Sequence, residues 1–137
     1  MSIKVDKEKC WRAFSRYVRL RDCLKTGSPD WGLCCSSGVR VPYKGGHAGH
    51  FIAGRHNAIL FEETNCHLQS NYDNTYLQGN GAGYCKFMLK EYGQEEIDRL
   101  MRLDKTTRKW KSGELKEMTK MFKDKTIALR SSKSLPF

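Results

Sequence analysis

All four histidines of this 137-residue chain, His47, His50, His56 and His67, fall within 21 consecutive positions, where they interleave with Asn57, Asn65, Asn71 and Asn74. Imidazole is the side chain that accepts a proton near neutral pH, and it also binds metal ions. An asparagine carbonyl can complete the sphere of a hard cation or hold a loop by hydrogen bonds. Together the two residue types point to a site that pairs proton abstraction with a divalent ion. Each member also has an ordinary alternative: Asn65 suits a helix cap, and Asn74 suits a plain surface amide.

The elements that must position these groups follow from periodicity. From Val5 to about Lys25, Cys10, Trp11, Phe14 and Val18 form an apolar stripe at steps of three and four, which predicts a helix ended by Gly27-Ser28-Pro29-Asp30. Residues 31–64 read as strands and turns. His50-Phe51-Ile52 and Ile59-Leu60-Phe61 are apolar runs joined by Ala53–Asn57, a spacing that predicts an antiparallel hairpin with a long loop. A helix is expected from Thr64-Asn65 through Leu68 and Tyr72 toward Leu77, with His67, Ser70 or Asn71, and Asn74 along one face. Further helices are expected over Tyr84–Glu91, Gln94–Leu103 and about Ser112–Phe122, the last docking weakly or onto a partner, with a loose tail over 131–137. The fold class is α+β: a small ββα-metal finger flanked by an N-terminal helix and C-terminal helices. A hairpin folded over the helix would bring His50 and Asn74 together around one ion.

Charge is distributed unevenly. Residues 1–30 carry 8 basic and 4 acidic side chains, residues 31–80 carry 3 of each, and residues 81–137 carry 14 and 8, which together give a net charge of +10. Both arms of the finger core (31–80) are thus basic, which suits a polyanion. No apolar run is long enough to span a membrane, and Met1–Asp6 is not followed by the apolar segment of a secretory leader. Its six cysteines therefore read as reduced thiols of an intracellular protein.

Several stretches resemble the phage recombination protein family NinG, also called Rap, whose members are small endonucleases of the HNH, or ββα-metal, class. They are Phe14–Asp22, His47-Ala48-Gly49-His50-Phe51, Phe61-Glu62-Glu63-Thr64-Asn65-Cys66-His67-Leu68-Gln69, Gly79-Asn80, Tyr84 and Tyr92-Gly93. The resemblance implies that His50 is the general base, that Asn65 orients the loop bearing it, and that Asn74 binds the ion, Mg²⁺ or Mn²⁺, with Zn²⁺ or Ni²⁺ able to replace it in a crystal.

Two departures from the family pattern stand out. Many HNH enzymes carry a metal-binding Asp just before the base, where this chain has Gly49, so a substitute is expected from His47 or His67, with His56 third and also a candidate phosphate contact. Relatives commonly hold a structural zinc with two Cys-x-x-Cys pairs, and here those positions are Cys34, Ser37, Ser70 and Asp73. Serine is not a zinc ligand of this kind, so no four-cysteine zinc is expected. Cys35 and Cys66 could still form an irregular site; otherwise Leu33, Cys34, Cys66 and Leu68 should fill the space by packing.

The function this implies is metal-dependent hydrolysis of DNA phosphodiesters, with branched recombination intermediates as the substrate the family implies and a homodimer suited to paired cuts. Arg16, Arg19, Arg21, Arg55, Lys86, Lys90, Arg108, Lys109 and Lys111 are candidate backbone contacts, and Trp110 could stack on a base or pack on a second subunit. The competing reading is a non-catalytic, structure-selective DNA-binding protein with a structural metal. A zinc deaminase fits poorly, because no Pro-Cys-x-x-Cys pair follows the histidines.

Overall fold

Residues 2–132 are described by the structure, a computed structural model. Helix α1 (Ile3–Leu24) is capped by the Ser2 hydroxyl, which accepts from the Val5 amide at 3.2 Å. Its predicted stripe faces inward: Cys10, Phe14 and Val18 are fully buried. Two small antiparallel hairpins follow. Strand β1 (Trp31–Leu33) pairs with β2 (Arg40–Pro42), and β3 (His47–His50) pairs with β4 (Cys66–Gln69), with His47 opposite Gln69 and His50 opposite Cys66. Helices α2 (Gly81–Glu91), α3 (Gln94–Asp104) and α4 (Ser112–Ser132) complete the α+β architecture.

The central hairpin differs from the expected one. Ile59-Leu60-Phe61 is not a strand but a run of tight turns, with the Ile59 amide on the His56 carbonyl at 3.1 Å and the Glu62 amide on the Ile59 carbonyl at 3.2 Å. Its three side chains are buried and plug the core. The true partner of the His50 strand is 66–69, expected to be helix. All four β4 side chains are buried. Besides its ladder with β3, β4 has its Leu68 amide on the Asp22 carboxylate at 2.9 Å and its Leu68 carbonyl receiving the Cys35 amide at 2.9 Å. With backbone groups satisfied from three segments, the strand prevails over helix. What remains of the expected 65–77 helix is a turn at Glu63–Asn65 before β4 and one π-helical turn, Tyr72–Tyr76, after it. Gln78, Gly79 and Asn80 then run through left-handed backbone (φ 50°, 91° and 46°) to reverse the chain into α2.

Helix α4 is longer than expected and docks firmly. Leu115 and Phe122 enter the core beside Phe14, whose ring lies 4.9 Å from Phe122 and 5.8 Å from Phe61. Ser131 and Ser132, expected to start the tail, end α4, and 133–137 lie outside the described residues. A second cluster joins α2 to α3 through Tyr84, Met88, Ile97 and Leu100.

The four positions where relatives hold zinc converge, but around a carboxylate. Asp73 Oδ2 accepts from the Cys34 thiol at 3.3 Å and from the Ser37 and Ser70 hydroxyls, each at 2.7 Å, while Oδ1 accepts from Asn80 Nδ2 at 2.8 Å. Burial would raise the Asp73 pKa, but the bonds from Ser70, Ser37, Asn80 and Cys34 outweigh it and bring it down to about 2. The polarity is thus inverted: an anion gathers donors where thiolates would gather a cation. Leu33 takes no part in the filling, being 51% exposed; Cys34 and Leu68 pack with Cys23 and Val41, and Cys66 joins the α1–α4 core. All six cysteines are free thiols.

Candidate active site

A cleft of about 730 Å³ opens between α1, β3 and the turn that follows β4, lined among others by Trp11, Arg19, His47, His50, Arg55 and Asn74. In β3, side chains alternate, so His47 and Gly49 share one face while Ala48 and His50 share the other, which packs toward α1. The His50 ring stacks on Trp11, with centroids 5.0 Å apart and 30° between planes. Its Nε2 lies 3.1 Å from the Leu60 carbonyl. A carbonyl only accepts, so Nε2 carries the hydrogen and Nδ1 keeps a lone pair. Burial pushes the His50 pKa below its ordinary value and the charge of Arg55 adds to this, against the Leu60 carbonyl, which favours the protonated ring. The imidazole is therefore neutral at physiological pH and able to accept a proton.

Asn65, fully buried, secures the two residues after His50. Its Oδ1 accepts from the Ile52 amide at 2.9 Å, its Nδ2 donates to the Ile52 carbonyl at 3.4 Å, and its own carbonyl accepts from the Phe51 amide at 2.8 Å. Asn74, on the π-helical turn, donates from Nδ2 to His47 Nδ1 at 3.2 Å. His47, His50 and Asn74 thus share one cleft although they come from opposite faces of β3 and from a separate turn.

The other two histidines lie elsewhere. His67, proposed from sequence as a metal ligand, is fully buried on β4, with Nδ1 3.0 Å from Tyr84 Oη and Nε2 2.7 Å from Tyr92 Oη. Tyr84 gives its hydroxyl hydrogen to the Gly49 carbonyl at 2.6 Å, so His67 Nδ1 donates to Tyr84 and Nε2 accepts from Tyr92. Both ring nitrogens are satisfied within the core, and His67 does not line the cleft. His56 is largely exposed and bonds Asp104 Oδ1 at 2.7 Å, tying its loop to α3 instead of facing Asn74.

Burial lowers the His67 pKa to about 3. Between that value and the ordinary 6.5, the unfolded chain binds a proton that the folded one does not, so stability falls as the pH drops below about 6.5, by about 1.4 kcal/mol per pH unit for this one group. Thermal denaturation between pH 7 and 5 should show this decline, and His67→Gln should flatten it relative to wild type.

The candidate DNA contacts divide into two groups. Arg19 and Arg55 line the cleft, with the Arg55 guanidinium 4.6 Å above the Trp11 ring, and Arg16, Lys86, Lys90, Lys109 and Lys111 are exposed. Arg21 is not available: it bonds both Asp22 oxygens and the carbonyls of Glu63 (3.0 Å) and Cys66 (2.8 Å), fastening α1 to β4. Trp110 is not a free stacking platform either, since its indole N–H donates to the Asn57 carbonyl at 3.2 Å and its ring meets Phe61 edge-on at 5.5 Å. Arg108 lies 4.1 Å over that ring and bonds Glu114 Oε2 at 2.5 Å. Sequence reading passed over Lys4, Lys7 and Arg12, which line a second groove sharing Trp11 and Arg55 with the cleft. Part of their signal was present, because Lys4 and Arg12 fall with Arg19 on one flank of α1 beside its apolar stripe.

A carboxylate ligand is missing from the cleft, and among the described residues no three His, Cys, Asp or Glu side chains are placed to hold a metal ion. Its lining offers amides and the imidazoles of His47 and His50 as side-chain donors. A Cβ on Gly49 would stand 3.0 Å from Asn74 Oδ1 and 1.8 Å from Gln69 Oε1, so the space an acid at position 49 would use is lined by amide oxygens. Such oxygens beside His47 suit a hard or borderline divalent cation whose other ligands are water and phosphate.

No helix among the described residues is long and apolar enough to cross a membrane. No curated protein and no solved structure matches the chain. A family model described as Bacteriophage Lambda NinG protein matches residues 4–132, nearly the whole chain, and with that span the protein belongs to the NinG family.

Proposed function

We propose that the cleft hydrolyses DNA phosphodiesters, and that its substrates are branched intermediates of phage recombination. Membership of the NinG family supports a nuclease acting on DNA. The observation that carries the finer reading is the state of His50, a neutral ring whose hydrogen is fixed on Nε2 by Leu60, leaving Nδ1 as a base in a cleft that also holds Arg55 and Asn74.

His50 Nδ1 takes a proton from a water molecule as its oxygen bonds to phosphorus, and the bond from phosphorus to the 3′ oxygen breaks on the opposite side. Trp11 holds the plane of the imidazole, and Asn65 holds the backbone that follows it. Arg55 offers its guanidinium to the phosphate and Arg19, whose Nε and Nη1 are held by Ser15 and the Tyr43 carbonyl, offers its remaining nitrogen, while Lys4, Lys7 and Arg12 extend the basic path along α1. A bound Mg²⁺ or Mn²⁺, with Asn74 Oδ1 as a side-chain ligand and His47 Nδ1 as a second once it exchanges its bond from the Asn74 amide for the ion, would supply stabilisation of the charge growing on the phosphoryl group and the leaving oxygen.

Supercoiled plasmid and a four-way junction, each incubated with the protein in Mg²⁺, Mn²⁺ or chelator, provide the test. Metal-dependent nicks, with the junction cut in preference to its linear arms, are expected. Tight junction binding without any cleavage in either metal would instead establish the non-catalytic, structure-selective binding protein.

A further inference from the structure

Among the described residues, Gln69 Oε1 is the only buried side-chain nitrogen or oxygen with no hydrogen-bond partner. A carbonyl oxygen withdrawn from water and left unpaired is destabilising, so its presence asks for a reason. The orientation of the amide is not arbitrary. Gln69 Nε2 donates to the Gly79 carbonyl at 2.8 Å and to the Ser36 hydroxyl at 2.7 Å, and the Gly79 carbonyl can only accept. The nitrogen is therefore fixed on the side of the left-handed turn, and Oε1 must point the other way.

That other way is toward Gly49 and Asn74, the second of which lines the cleft. Gln69 is paired with His47 across the β3–β4 ladder, and its Oε1 fills the place where a side chain on Gly49 would begin, 1.8 Å from the ideal Cβ position. Asn74 Oδ1 borders the same point at 3.0 Å. The absent acid at position 49 and the unpaired oxygen of Gln69 are thus two sides of one arrangement: the amide reaches from β4 into the volume that an aspartate on β3 would take. A larger residue at 49 would have to displace that amide.

We propose that Gln69 is a ligand of the divalent cation, its Oε1 standing in for the carboxylate that this chain lacks before His50 and joining Asn74 Oδ1 and His47. The proposal rests on the nuclease reading and names a ligand which that reading leaves open. With neutral donors only, the ion's charge is balanced by the substrate phosphate.

Mn²⁺ titration of the full-length protein, followed by the electron paramagnetic resonance signal of the free ion, tests this without reference to activity. Gln69→Leu keeps the bulk and removes the oxygen, and should weaken Mn²⁺ binding about tenfold; Gln69→Glu places a charged oxygen at the same point and should strengthen it about tenfold. Asn74→Ala serves as the reference for a lost ligand, and the melting temperature of each variant reports its folding. If Asn74→Ala abolishes binding while both Gln69 variants bind as wild type does, Gln69 is only a brace for the turn at Gly79 and the proposal falls, with the nuclease reading intact. Should Gln69→Leu fail to fold, unchanged affinity in Gln69→Glu overturns it equally. A wild-type protein that binds no Mn²⁺ also overturns it, and plasmid nicking by the same preparation then judges the nuclease reading separately.

Discussion

Replacing His50 with alanine is expected to slow phosphodiester cleavage by about 10²–10⁴-fold, the range a positioned general base contributes, while leaving DNA affinity unchanged. The imidazole touches Trp11 and the Leu60 carbonyl but makes no ion pair, so its removal does not alter the charge of the cleft. Single-turnover nicking of plasmid, beside a gel-shift titration of a four-way junction, separates the two quantities. Because burial and Arg55 lower the His50 pKa, the wild-type rate should hold its plateau to a pH below the ordinary imidazole value of 6.5 and decline only as the ring is protonated. Undiminished cleavage by a nuclease-free preparation of His50→Ala would remove His50 from the mechanism. Asn65→Ala acts through the backbone at Phe51 and Ile52, so it should impair cleavage less than His50→Ala.

The second large effect concerns Asp73. Its carboxylate is 2% exposed and receives four side-chain hydrogen bonds that link the β1–β2 hairpin, the π-helical turn and the start of α2. Bonds to a charged acceptor are worth about 1.5–3 kcal/mol each, and stranding their donors adds a penalty. Asp73→Ala should therefore cost at least about 3 kcal/mol, a fall in melting temperature on the order of 10 °C for a chain of this size. For protein prepared without Mg²⁺ or Mn²⁺, a chelator should leave the melting temperature unchanged, since hydrogen bonds to a carboxylate hold this brace. The triple variant Ser37→Cys, Ser70→Cys, Asp73→Cys, which supplies four thiols with Cys34, should instead melt in a zinc-dependent way. The folded pKa of Asp73 lies below its unfolded value, so its contribution is complete above about pH 4 and is lost as the pH falls toward 2. A wild-type protein destabilised by chelator and restored by Zn²⁺ would show that the carboxylate is not what holds this region.

Helix α1 was legible because Cys10, Phe14 and Val18 sit at helical spacing with charged residues between them, and α3 because Ile97 and Leu100 do the same. Strand β4 was not. Cys66, His67, Leu68 and Gln69 are all buried, two of them polar, so neither alternation nor helical periodicity marks them. Ile59-Leu60-Phe61 misled for the opposite reason: a short apolar run looks alike whether it pairs as a strand or plugs a core through turns. In the site, the bunching of histidines pointed to the right part of the chain but could not sort its members. His67 is separated from His47 by partners far along the sequence, Tyr84 and Tyr92, whose hydroxyls satisfy the ring. Gln69 gave no sequence signal at all, since its meaning comes from the emptiness of Gly49 across the ladder.

The pairing of α1 with α4 has a consequence for how the molecule can be divided. Trp11, which supports the imidazole of His50, stands on a helix whose neighbouring core residue Phe14 is covered by Phe122 near the other end of the chain. Joining these helices closes a loop on the order of ninety residues, an entropic cost met only once the last helix is available. A fragment truncated ahead of Trp110 would keep every residue of the cleft yet leave Phe14 and Phe61 bare to water. During synthesis the same holds for the nascent chain, whose cleft stays unsupported until α4 has been translated.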